Sequence, residues 1–154
     1  MAESIAREVR HELITIPDYD VFDWLEGEVK PDGSVILRGE AVRPILKSEA
    51  EKRVKKIESV TNVVNEIRVL PLSSFDDQIR IATYRNLFKG ESPLMMYGLR
   101  SVPPIHIIVE NGHVTLKGAV ANQMDKQLAE NAAREVPNTF EVKNELKVDN
   151  PASN

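Results

Sequence analysis

The sequence predicts an α+β fold made of two αββαβ sandwiches, each a small mixed three-stranded sheet with two helices on one face. Three observations carry this reading. First, Gly33-Ser34-Val35-Ile36-Leu37-Arg38-Gly39 recurs 79 residues later as Gly112-His113-Val114-Thr115-Leu116-Lys117-Gly118. Second, the same offset, held without a gap, pairs Lys47 with Lys126, Ala50 with Ala129 and Glu51 with Glu130. It also pairs Val63, Asn65, Glu66 and Val69 with Val142, Asn144, Glu145 and Val148. Third, the apolar spacing in each copy alternates between the helical and the strand period in the same order. The repeat is longer than a solenoid unit, and two copies would not make a solenoid, so a whole domain is duplicated.

Each copy opens on a helix, marked by Ile5, Ala6, Val9 and Leu13 in the first and by Ile81, Tyr84 and Phe88 in the second. Ser74-Phe75-Asp76-Asp77 reads as a capping box for the second of these. A β-hairpin follows, turning at Pro31-Asp32-Gly33 and at Asn111-Gly112, where Gly33 and Gly112 supply the positive φ that tight turns need. Val35 and Leu37, and likewise Val114 and Leu116, alternate as a half-buried strand does. The next helix spans Pro44 to Ser59 in copy one and Asn122 to Val136 in copy two, with Pro suited to the first turn and Asn to the cap. Leu46, Ala50, Val54 and Ile57 form its buried stripe, and lysines and glutamates form the solvated face. The closing strands are Val63 to Leu70 and Val142 to Val148. Domains are thus expected over 1–70 and 75–149, with a short linker at 71–74 and a disordered tail at 150–154.

Composition narrows the function. A hydrophobic fraction of 42% and a charged fraction of 29% are those of a folded globular chain. A net charge of −4 gives no overall attraction to phosphate backbones, which argues against nucleic acid as a partner. With no cysteine there is neither a disulfide framework nor a thiolate metal site. His11, His106 and His113 share no ligand spacing, and no nucleophile elbow or zinc-helix pattern organises the serines and acids. No catalytic residue, metal or cofactor is therefore expected. Asp18, Asp20 and Asp23 lack the glycine and terminal glutamate of a calcium loop and read as a solvated turn. Gly39 and Gly118 read as structural glycines at a bulge or close backbone approach.

The ordered pattern G-x-V-x-L-x-G, then a helix bearing Lys and Ala, then V-x-N-E-[IL]-x-V resembles the BON domain, named for bacterial osmotic-shock and nodulation proteins. It covers nearly the whole chain in two copies, with Gly33, Gly39, Asn65, Gly112, Gly118 and Asn144 as its structural motif residues. The resemblance implies the αββαβ sandwich and a place in the bacterial periplasm or at the outer membrane. Phospholipid binding is the activity it implies, and tandem members are similar to the osmotically inducible periplasmic family. The expected function is thus non-catalytic binding to an anionic phospholipid or membrane surface, linked to osmotic or envelope stress. The alternative is a protein-interaction, scaffold or chaperone-like module with an envelope protein as partner. The expected compartment is the periplasm if a signal peptide has been removed, and the cytoplasm otherwise; oligomeric state is left open.

The copies differ before their hairpins. Copy one has Thr15 to Trp24, whereas copy two has the longer run Lys89 to Pro104. Within the latter, Leu94-Met95-Met96-Tyr97-Gly98-Leu99 is strongly apolar and flanked by Lys89 and Arg100. Two readings stand for it. Either these side chains close a small core, or Lys89, Leu94, Met95, Met96, Tyr97, Leu99 and Arg100 form a lipid- or partner-binding loop, for which methionine gives an adaptable surface.

Overall fold

Helix α1 (Ala2–Ile14) opens the first unit because Ile5, Val9 and Leu13 recur on one face, and all three are buried. In the computed structural model, which describes residues 2–149, this helix packs on the sheet beside α2 (Pro44–Lys55). The sheet holds β1 (Trp24–Val29), the central β2 (Ser34–Ala41) and a third lane made of β3 (Asn62–Asn65) and β4 (Arg68–Val69). Strand β2 pairs antiparallel with β1 through the hairpin and parallel with β3 and β4, because α2 carries the chain back across the sheet. Val35 and Leu37 of β2 are fully buried in one core with Leu46, Ala50 and Val54 of α2.

The second unit, beginning after Pro71, repeats this order. It comprises α3 (Ser74–Phe88), a short 3-10 helix (Met95–Leu99), β5 (Ile105–Glu110), β6 (His113–Val120), α4 (Gln123–Arg134), β7 (Glu141–Asn144) and β8 (Lys147–Val148). Strand β6 is again central, antiparallel to β5 and parallel to β7 and β8. The α+β fold and the duplication read from the sequence are both present. The tail expected at 150–154 lies outside the described residues.

Each expected closing strand is two short strands, and an asparagine makes the break. Asn65 Nδ2 donates to the Lys47 carbonyl at 2.9 Å and its Oδ1 accepts from Ile67 N at 3.2 Å. Asn144 does the same with Lys126 and Leu146, at 2.9 and 3.2 Å. The side chain thus replaces ladder bonds where the strand steps out, which lets Ile67 and Leu146 turn into the core. The central strands are bound as closely. Gly39 and Gly118 have φ of 127° and 124°, and a Cβ there would lie 1.8 Å from the Trp24 carbonyl oxygen and 1.9 Å from that of Pro104.

Three local expectations are corrected. The cap of α3 is Ser73, one residue earlier than the expected box, with its hydroxyl accepting from Asp76 N at 3.1 Å. Asp76 does not reach back to the cap. Its buried carboxylate instead accepts from Asn111 N at 2.8 Å and Gly112 N at 2.9 Å, fastening the helix to the hairpin turn. The buried face of α3 is accordingly Asp76, Ile79, Arg80, Thr83, Leu87 and Phe88, and Ile81 faces solvent. Arg80 stays on that face because Nη2 donates to the Val109 carbonyl at 2.7 Å and Nη1 meets Asp77 at 2.6 Å. The second helices also stop sooner than expected, at Lys55 and Arg134.

Candidate functional site

The site is best built from the end of α3. After the helix closes at Lys89, Ser92 Oγ donates to the Leu87 carbonyl and accepts from Leu94 N at 3.2 Å, which turns the chain and drops Leu94 into the core. The next residues form the 3-10 helix Met95–Leu99. Such a helix has three residues per turn, so side chains three apart line up in rows. Leu94 and Tyr97 form the inward row. Gly98 backs onto Phe88, where a Cβ would come within 2.6 Å of the Phe88 Cβ. Met96 and Leu99 form the outward row, each 70% exposed, and Met95 is 42% exposed.

Tyr97 is held at its hydroxyl. It donates to Asp125 Oδ2 at 2.6 Å and accepts from Ala121 N at 2.9 Å, at the start of α4. Burial, and then the hydrogen bond to the Asp125 carboxylate, raise its pKa above the usual tyrosine value. Asn122 caps α4 by accepting from Asp125 N at 2.7 Å, which fixes the backbone that carries the carboxylate. The exposed Met124 sits in that same first turn. At the flanks, Lys89 and Arg100 are exposed, and the Lys89 ammonium stands 5.5 Å from the centroid of the Tyr84 ring.

Of the seven residues expected at this site, five are therefore on the surface: Lys89, Met95, Met96, Leu99 and Arg100. Leu94 is buried and Tyr97 partly so, as anchors of the others. Sequence reasoning missed Asp125, whose signal would have been its place three residues after a cap asparagine and next to an exposed methionine.

The corresponding segment of the first unit offers no such surface. Ile16, Tyr19 and Val21 are all buried. Asp23, expected in a solvated turn, is buried as well, with Oδ1 accepting from Val42 N at 2.8 Å and Oδ2 from Asp20 N at 3.0 Å. Burial raises its pKa, against the two N–H groups that lower it. The solvated-turn reading fails for Asp23, whose carboxylate is drawn out of water by two backbone N–H donors, whereas Asp20 is exposed.

Among the described residues no group of three or more His, Asp or Glu side chains could hold a metal ion, and no helix is long and apolar enough to cross a membrane. A model of the BON domain matches residues 2–71 and 96–150. The chain belongs to the BON-domain family. BON domains are a non-catalytic binding family, linked to membranes and phospholipids and typical of the periplasm or envelope. The second match begins at Met96, so α3 and the turn carrying Leu94 lie outside it. No curated protein sequence matches the chain. Among solved structures, the C-terminal domain of CdsD, a structural protein of the type III secretion system of Chlamydia trachomatis, is similar at 14% identity and a TM-score of 0.34, over 92% of this chain and 96% of that one. A second structure of CdsD gives 13% identity and 0.34, over 93% and 91%. At these scores the likeness bears on neither activity nor partner.

Proposed function

We propose that this BON-domain protein docks weakly on an anionic phospholipid surface of the cell envelope through Met95, Met96 and Leu99 of its second unit, with Lys89 and Arg100 beside them. The observation that carries the reading is the outward row of the 3-10 helix, where large apolar side chains stay in solvent although the same segment buries Leu94. Full burial of one such side chain is worth about 1.5 to 3 kcal/mol, and partial insertion of three gives less than their sum. Each basic residue near an anionic surface adds about 1 kcal/mol. The chain's net charge of −4 works against the electrostatic part. Affinity is therefore low and falls with salt.

Co-sedimentation with vesicles containing phosphatidylglycerol tests this. Wild type pellets with them at low salt, less at high salt, and less with uncharged phosphatidylcholine vesicles. A Met95→Asp, Met96→Asp double variant loses the interaction. Equal binding by the two proteins would remove the loop from the site, and a stoichiometric protein partner without vesicle binding would favour a scaffold role.

A further inference from the structure

The segment Leu94 to Leu99 is apolar on every side, so hydrophobic burial does not decide which row of the 3-10 helix faces the core. Leu94, Met95, Met96 and Leu99 are close in size and differ little in transfer free energy. A rotation of one third of a turn would trade the Leu94 row for the Met96 row with little change in apolar transfer free energy. The Ser92 turn fixes where the segment starts, and two features within it tell the rows apart. Gly98 alone leaves room for Phe88, and Tyr97 alone carries a hydroxyl that reaches Asp125 and Ala121. Both partners of the hydroxyl are rigidly placed: Ala121 directly follows β6, and the Asp125 N–H is tied to the Asn122 cap.

We propose that Tyr97 and Asp125 are positioning residues that set the rotation of the 3-10 helix, and so decide which apolar side chains the second unit presents. The importance of that choice for docking rests on the function proposed above, but the rotation itself does not. Removing the hydroxyl leaves the Ala121 N–H without its protein acceptor and the rotation held only by the Gly98–Phe88 contact and the Ser92 turn. Asp125→Asn keeps an amide oxygen that can accept from the phenol, whereas Asp125→Ala does not.

Methionine oxidation by dilute hydrogen peroxide, read by mass spectrometry on the full chain, reports the rotation, because the rate follows exposure of the sulfur. In wild type Met96, at 70% exposure, oxidises faster than Met95, at 42%. In Tyr97→Phe and in Asp125→Ala the ratio of the two rates moves to about one, whereas Asp125→Asn keeps the wild-type ratio. Amide hydrogen exchange separates rotation from unfolding. In Tyr97→Phe the Ala121 amide exchanges about tenfold faster, while the Phe140 amide, bonded to the Gly112 carbonyl, is unchanged. An unchanged Met96 to Met95 ratio in both Tyr97→Phe and Asp125→Ala overturns the proposal, as does Asp125→Asn behaving like Asp125→Ala. Altered ratios together with wild type that binds no vesicles would support the positioning role and overturn the docking role.

Discussion

Val42 and Ala121 are equivalent residues, one following β2 and the other following β6, and each has a backbone N–H that the sheet does not satisfy. In the first unit the acceptor is the carboxylate of Asp23, at 2.8 Å; in the second it is the phenol oxygen of Tyr97, at 2.9 Å. Both acceptors come from the segment between the first helix and the hairpin, which is where the two sequences part. The first segment is short and buries Ile16, Tyr19 and Val21, leaving no apolar row in water. The second is longer, meets the same need with Tyr97, and still has Met96 and Leu99 facing out. The same backbone donor thus anchors both segments, and the extra length in the second unit is free to make a surface. The scaffold should therefore respond to mutation alike in the two units, and the pre-hairpin segments should not.

The largest expected effect tests the likeness. Gly39→Ala and Gly118→Ala each place a Cβ under 2 Å from a carbonyl oxygen of the neighbouring strand, at φ of 127° and 124°. Neither backbone can yield without breaking the hairpin. Each substitution should cost about 3 kcal/mol or more, from strain and overpacking together. Urea unfolding should show similar losses for the two, and a harmless substitution in either unit would mean that the units are not built alike.

That likeness was readable because repeat and periodicity report the scaffold directly. Leu46, Ala50, Val54 and Ile57 are buried as their spacing implies, and the matched asparagines make matched bonds. What failed depended on partners distant in the chain. The buried face of α3 contains Asp76, Arg80 and Thr83, so an apolar count points to the wrong side. Its logic becomes visible only when Asp76 is seen to meet a turn 35 residues away. Asp23 misled for the same reason, since its partner Val42 lies 19 residues on. Within the candidate site, the apolar run located the segment, but six residues with almost no polar contrast could not say which of them face out.

An intermediate effect tests the difference. Asp23→Ala leaves the Val42 and Asp20 N–H groups without their carboxylate and should cost about 1 to 3 kcal/mol. Asp23→Asn probes the charge. Burial raises the folded-state pKa above the usual 3.8, so the native state holds this proton more tightly than the unfolded chain does. This group's contribution is then most favourable below 3.8 and is lost as pH rises through the folded-state value. Asp23→Asn has no such loss. The stability of the variant relative to wild type should therefore improve between pH 3 and pH 7, as chemical denaturation at the two pH values would show. Tyr97→Phe in the equivalent role should show no such change over that range, because a phenol does not titrate there.

The smallest effect is the most direct statement of what the second segment has spare. Met96 is 70% exposed and lies on the row away from the core, so Met96→Asp removes little buried area and adds a charge in water. Its stability cost should stay within about 0.5 kcal/mol, the ordinary range for surface positions. Leu94→Asp, two residues earlier and 1% exposed, would bury an unpaired carboxylate and should cost several times as much. Thermal melts of the two variants under the same conditions decide the point. A destabilised Met96→Asp would mean that Met96 supports the core in solution, and the outward row would then be packing and not a docking surface.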